Sequence, residues 1–182
     1  MRILICLILL SINLQKAAGQ FFSNVSSNVS TFGYAYLSNG ITVTNLGILD
    51  GINLGVVSID ITMTSQGSPE LYLVAPDGHA VYILSGSTAF NVTNGVYTFT
   101  TDPTAPSIKY LPYTSSVPGT YTPYGNLNSF NAGQSASGQQ PANGIWRLYG
   151  KTGGSATVTR WQINFGNTNI VPAPTNQSFS KA

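Results

Sequence analysis

Past its first nineteen residues this sequence contains no cysteine, because the single Cys, Cys6, falls in the N-terminal leader. It has one histidine, His79, and only 7% of its residues are charged. The missing cysteines exclude a disulfide framework and any thiolate metal site. A folded chain of this kind must hold together by its core, its sheet hydrogen bonds or its neighbours. One imidazole with no thiolate beside it leaves the common zinc ligand sets incomplete. Downstream of the leader no apolar run approaches the roughly 20 residues of a spanning helix, so no membrane span is expected. Arg2 and Lys16 account for two of the seven basic residues, so five basic residues face five acidic ones in the remainder. Nucleic-acid binding needs clustered Lys and Arg, and a nearly neutral chain argues against it. The whole acidic inventory is Asp50, Asp60, Glu70, Asp77 and Asp102. Nothing in their spacing marks the paired carboxylates of a glycosidase. Asp77 and Asp102 are the candidate calcium ligands, and no other cofactor is expected.

The leader itself is informative. Arg2 precedes a short apolar run, Ile3 to Ile12, and then the small residues Ala17, Ala18 and Gly19. A basic start, an apolar stretch too short to span a bilayer and small residues at the end describe a secretory signal peptide over residues 1–19. Cleavage after Gly19 and a secreted or cell-surface location are expected. The 182 residues then leave room for one domain with a proper core.

What is present is alternation. In Asn143 to Phe165, NGIWRLYGKTGGSATVTRWQINF, two alternating runs flank the turn-forming KTGGS. Trp146 and Leu148 share one face of the first run, and Thr159, Trp161, Ile163 and Phe165 share one face of the second. A period of two marks strands with one buried face, and the two tryptophans are expected on neighbouring strands of a hairpin-like unit. Val56 to Thr64 reads the same way, with Val57, Ile59, Ile61 and Met63 facing in. Leu71 to Ala75 and Ala80 to Leu84 form a hairpin about Pro76-Asp77-Gly78, since Pro presets the turn and Gly takes positive φ. Tyr34 to Leu37 and Ile41 to Thr44 read as strands around an Asn39-Gly40 hairpin turn. Val96 to Thr100 follows a turn at Asn94-Gly95. The chain is expected to be all-β, divided into residues 20–44 (an N-terminal arm and first short strands), 45–166 (a β-sandwich) and 167–182 (a polar tail).

Residues 102–144 differ. They carry six of the ten prolines, which remove ladder donors, so little regular sheet is expected there. A long irregular segment is ordered by packing across a sandwich or is functional. Its tyrosines, Tyr110, Tyr113, Tyr121 and Tyr124, are the candidate binding residues. Two readings stay open for them: rings that stack on sugars or partners, and rings that fill space between loop and sheet. His79 reads as an exposed turn residue. Asn24, Asn28, Asn91 and Asn176 sit in N-x-S/T sequons.

The ordered set of motifs resembles the P domain, or Homo B domain, of kexin- and furin-like proprotein convertases, in a stand-alone, bacterial-type form. The resemblance rests on Glu70-Leu71-Tyr72-Leu73-Val74-Ala75-Pro76-Asp77-Gly78, then Phe130 with Gly133, then Asn143-Gly144-Ile145-Trp146-Arg147-Leu148, and last Trp161-Gln162-Ile163-Asn164-Phe165. It covers about residues 45–166. The chain departs from that pattern in Thr64 to Glu70, which lacks the family's His-Thr and Asp, and at Gly150-Lys151, where the family has an Asp. The resemblance implies a jelly-roll β-sandwich of the galactose-binding-like type, with Pro76, Gly78, Gly144, Trp146, Leu148, Trp161, Ile163 and Phe165 as structural positions. It implies contact with proteins rather than chemistry, because in that family the domain packs on and stabilises a protease. No subtilisin-type triad and no scaffold for one is present, so the chain is not expected to be an enzyme. Three partner classes remain: a protein partner such as a separate protease, a second copy of this chain through the arm Gln20 to Ser30, and a surface glycan.

Overall fold

The structure, a computed structural model, describes residues 20–25, 34–36, 40–50, 54–85, 91–110, 115–131 and 140–166. The leader, the tail and Tyr113 lie outside the described residues. In chain order the strands are β1 (Gln20–Val25), β2 (Ala35–Tyr36), β3 (Ile41–Val43), β4 (Ile48–Leu49), β5 (Gly55–Ser65), β6 (Glu70–Val74) and β7 (Ala80–Leu84). They continue with β8 (Asn91–Thr100), β9 (Ser115–Ser116), β10 (Gly119–Tyr121), β11 (Gln140–Pro141), β12 (Gly144–Lys151) and β13 (Ala156–Gly166). A 3-10 turn, Ile108–Tyr110, and one helical turn, α1 (Asn128–Asn131), complete the list. The chain is all-β, as its alternation requires.

Two sheets carry the core. The first has the order β1-β13-β5-β8-β10, with β9 also on β8. Its long strands β13, β5 and β8 are antiparallel, while β9 and β10 run parallel to β8. The second has the order β2-β12-β6-β7, with β3 also on β12, and is antiparallel throughout. Ile59, Ile61, Tyr97, Phe99, Trp161 and Ile163 from the first sheet and Leu71, Leu73, Ile83, Trp146 and Leu148 from the second are buried in one cluster. Trp146 meets the edge of Phe165 at 5.5 Å and of Phe130 at 5.1 Å, joining the two sheets through aromatic contacts. Its indole nitrogen donates to the Ala142 carbonyl at 2.8 Å, so burial of the polar edge costs little.

Several expectations are corrected. The two tryptophan strands are not neighbours: β12 lies in the second sheet and β13 in the first. The connection KTGGS crosses the sandwich instead of turning back. Buried Thr152 holds it there, since its hydroxyl meets Ser65 Oγ at 3.2 Å and the Gln66 carbonyl at 3.1 Å. β2 and β3 form no hairpin with one another, because both run antiparallel to β12 along the same side. Gly40, between them, has φ +84°, and a Cβ there would lie 2.8 Å from the Trp146 carbonyl oxygen.

Irregularities in register shift two inward faces. Asn164 pairs with Ser58 and Phe165 with Val56, so Val56 is buried in place of Val57. Val158 pairs with Met63 and Arg160 with Thr62, so Val158 is buried and Thr159 is exposed. No turn interrupts Asn94-Gly95; β8 runs through it, and Gly95 leaves room for Pro118, whose Cγ would lie 2.2 Å from a Cβ. Residues 20–25 are an edge strand on β13 of the same chain.

Other expectations hold. β6 and β7 form the expected hairpin, with Gly78 at φ +91° and its amide donating to the Ala75 carbonyl at 2.9 Å. Trp146, Leu148, Trp161, Ile163 and Phe165 are all buried. The described residues 102–110 and 115–131 hold little regular sheet, only the short strands β9 and β10, and buried Asn131 anchors their end by accepting the Val56 amide at 2.9 Å beside the β5 irregularity.

Candidate binding face

Leu71 and Leu73, Val81 and Ile83, and Trp146 and Leu148 point into the core, so alternation turns Tyr72, Tyr82 and Tyr149 outward. The pairing then brings them into line. Tyr36 pairs with Tyr149, Tyr149 with Tyr72, and Tyr72 with Tyr82. One tyrosine from each of four adjacent strands therefore forms a row at right angles to the strands. Tyr72 faces Tyr82 in the register that Val74–Ala80 and Leu73–Val81 set at the turn; the irregularity lies beyond it and places Leu84, rather than Ile83, opposite Leu71.

Ring centroids along the row are 5.1 Å apart for Tyr36 and Tyr149, 6.3 Å for Tyr149 and Tyr72, and 4.0 Å for Tyr72 and Tyr82. Tyr124 extends it beyond β7 at 5.8 Å from Tyr82, held there because its amide donates to the Ile83 carbonyl at 3.1 Å. Tyr34 stacks on Tyr149 at 5.5 Å with an interplanar angle of 11°. Neighbours along the row are tilted by 50° to 60°. The result is a corrugated aromatic strip, roughly 20 Å long from the spacing of four strands and the loop beyond. Its rims are open: Tyr36 is 57% exposed and Tyr34 47%.

Charged groups are arranged around the rings. Lys151 lies 4.4 Å from the Tyr34 ring, Arg147 5.5 Å from Tyr36 and Lys109 4.8 Å from Tyr124. Glu70 pairs with Lys151 at 3.3 Å and accepts hydrogen bonds from the hydroxyls of Tyr34 and Tyr82. Burial pushes the Glu70 carboxyl up, but Tyr34, the Lys151 hydrogen bond and charge, and Tyr82 outweigh it and hold it below the ordinary value. The hydrogen bond to Tyr72, then burial, then the Glu70 charge push the Tyr82 phenol well above its ordinary value. Burial does the same, to a smaller extent, for Tyr72.

Of the four tyrosines singled out in the sequence, Tyr113 lies outside the described residues and the other three separate. Tyr124 joins the row. Tyr121 is a core residue, 6.5 Å from Tyr97, with its hydroxyl donating to the Val117 carbonyl at 2.9 Å. Tyr110 is exposed at the end of the 3-10 turn, away from the row's ring contacts. Three outward rings of the row were readable, because each of LYL, VYI and LYG places a tyrosine between residues that face the core; their alignment was not.

Asp77 accepts the His79 amide at 3.0 Å, and Asp102 accepts the amide and hydroxyl of Thr104 at 2.9 and 2.8 Å. Those two bonds hold the Asp102 carboxyl below its ordinary value. Among the described residues no three His, Cys, Asp or Glu side chains gather as metal ligands. His79 is half-buried rather than exposed. Its ring meets Phe130 edge-on at 5.2 Å and its Nε2 lies 3.1 Å from Ser129 Oγ, tying the β6–β7 turn to α1.

The opposite outer face, on the first sheet, has another chemistry. Asp60 accepts hydrogen bonds from Thr98 and Gln162 there, beside a shallow depression of about 110 Å³ that Arg160 and Thr62 also line. No described helix is long and apolar enough to cross a membrane. Compared with known proteins, the chain matches no family model, no curated protein and no solved structure.

Proposed function

We propose that this chain is a secreted, non-catalytic binding module that holds a carbohydrate chain on the tyrosine face of its second sheet. The observation that carries this reading is the in-register row Tyr36–Tyr149–Tyr72–Tyr82, continued by Tyr124. Tyrosine offers a flat apolar face to a sugar ring and a hydroxyl at its edge, at low cost in side-chain entropy. The rings pack on one another and on Glu70, so much of their ordering is complete before any ligand arrives. Their mutual tilt suits a single flexible glycan chain better than a flat crystalline surface. The leader motif supports secretion. A jelly-roll order of the strands, of the P-domain type, agrees with the two-sheet arrangement and with the contact between the Pro76 turn and Gly144.

Affinity electrophoresis of the chain from Gln20 to Ala182 through gels containing neutral and acidic polysaccharides tests the reading. Retardation by at least one polysaccharide, weakened in Tyr36→Ala with an unchanged far-ultraviolet circular dichroism spectrum, is expected. Unretarded migration in every gel, together with a saturable complex with a purified protease, would replace the glycan by a protein partner. Growth in mass with concentration, lost on deleting residues 20–30, would replace it by self-association.

A further inference from the structure

Resting on that reading, we infer that the glycan is acidic, a carboxylate-bearing chain of the uronate class laid along the tyrosine row with one end in the polar cleft beyond Tyr124. The argument is the distribution of charge. The described residues contain four Lys or Arg side chains, and three of them, Lys109, Arg147 and Lys151, sit against rings of this strip. The fourth, Arg160, lies on the other sheet beside Gln162. Among the five acidic residues only Glu70 is bonded to rings of the row, and its charge is matched by Lys151. Lys109 and Arg147 have no carboxylate partner among the described residues, so a nearly neutral protein presents a net positive strip.

The placement of these cations adds detail. Arg147 and Lys151 flank the Tyr36 and Tyr34 end, and Lys109 flanks the Tyr124 end. Lys109 also lines a cleft of about 300 Å³ together with Thr100, Thr101, Thr122, Asn126 and Asn128. Pro123 and Gly125, on either side of Tyr124, line it too, and Lys109, which lies over the Tyr124 ring, is shared by strip and cleft. Hydroxyl and amide groups around a lysine suit a terminal sugar that carries both hydroxyls and a carboxylate. A cation at each end with rings between matches a chain whose charges recur at intervals and whose sugar faces stack. Three cations are few for a phosphate backbone, which is why a glycan is favoured over a single-stranded nucleic acid.

Isothermal titration of the full mature chain with oligogalacturonate, its methyl ester, neutral xylo-oligosaccharide and an oligothymidylate tests the inference. Oligogalacturonate is expected to bind most tightly and to weaken as salt is raised. Lys109→Gln and Arg147→Gln are each expected to lower its affinity roughly twofold to fivefold, the effect of one exposed charge pair. Lys109 is exposed, and glutamine keeps most of the stem of half-buried Arg147, so both variants are expected to keep the fold. Equal affinity for the acid, its ester and the neutral chain would overturn the acidic assignment and leave glycan binding intact. Equal or tighter binding of the oligothymidylate would overturn it in favour of a general polyanion site. Absence of binding to every glycan would remove the underlying reading as well.

Discussion

A Cβ placed on Gly144 would lie 2.6 Å from the Cβ of Pro76, so the β6–β7 turn closes directly against the first residue of β12. Gly144 also has φ +130°, where a side chain is strained. Two motifs that are far apart in the chain are thus one packing unit. Gly144→Ala is expected to lose about 1–3 kcal/mol, the cost of overpacking, in urea denaturation. Pro76→Gly in the same chain should recover part of that loss, because it removes the atoms in conflict. Strict additivity of the two substitutions would mean that the contact carries no energy.

Glu70 links the tyrosine face to acid stability. Its carboxyl is held below the ordinary 4.5 in the folded chain, so the folded state binds its proton less readily than the unfolded one. The stabilisation is complete above about pH 4.5, the unfolded value, and is lost as pH falls through the lower, folded value. Glu70→Gln should therefore flatten the loss of stability between neutral pH and pH 3, by about 1 kcal/mol for a partly screened pair. A variant with the same acid slope as the parent would show that the contacts of Glu70 carry no energy.

Tyr82 and Tyr72 act in the opposite direction. Their phenols are raised, Tyr82 by its bond to Tyr72, by burial and by the Glu70 charge, and Tyr72 chiefly by burial. A raised phenol favours the folded chain fully below about pH 10 and progressively less above it, as phenols of the unfolded chain ionise. Alkaline titration of phenolate absorbance should show a group of tyrosines that ionises only as the protein unfolds. Tyr82→Phe should remove one member of that late group and shift the unfolding transition to higher pH.

The register irregularity in β5 makes a finer prediction. Val56 is buried and Val57 is only half-buried, although alternation counted back from Ile59 would bury Val57. Val56→Ala should cost about 2 kcal/mol, from lost burial and the cavity left behind. Val57→Ala should cost less than half as much. Thermal denaturation of the pair reads the irregularity directly, and equal losses would remove it.

These cases divide what alternation carries from what it does not. Ile59 to Met63, Leu71 and Leu73, and Trp161 to Phe165 are correctly faced from period two alone, because each run is uninterrupted. Val57 and Thr159 are misplaced because an added residue in one strand depends on its partner, which lies many residues away. Trp146 and Trp161 look like hairpin partners, and only the bonds of Thr152 to Gln66 and Ser65 show that the chain crosses between sheets. The tyrosine face was half legible. Outward rings at Tyr72, Tyr82 and Tyr149 follow from their core-facing neighbours, but their alignment needs the strand order β2-β12-β6-β7. Attention to the proline-rich segment found Tyr124 and also Tyr121, a core ring that no local pattern separates from a binding one.

Tyr36 and Tyr72 then separate binding from stability within one row. Tyr36 stands at the sheet margin, 57% exposed, and among the described residues its ring contacts are with Tyr149 and the Arg147 guanidinium. Tyr72 lies mid-sheet, in ring contact with Tyr34, Tyr82 and Tyr149. Truncating an exposed ring removes little buried area, so Tyr36→Ala should cost under about 1 kcal/mol of stability. Truncating Tyr72 strips contacts from three neighbours and should cost about 1–3 kcal/mol. If the row is a ligand platform, both variants should lose glycan affinity by roughly tenfold, one stacking contact each. If the row only braces the sheet, binding losses will follow the stability losses, and Tyr36→Ala will bind like the parent. Paired measurement of Tm and glycan affinity for the two variants therefore distinguishes a recognition surface from a structural one.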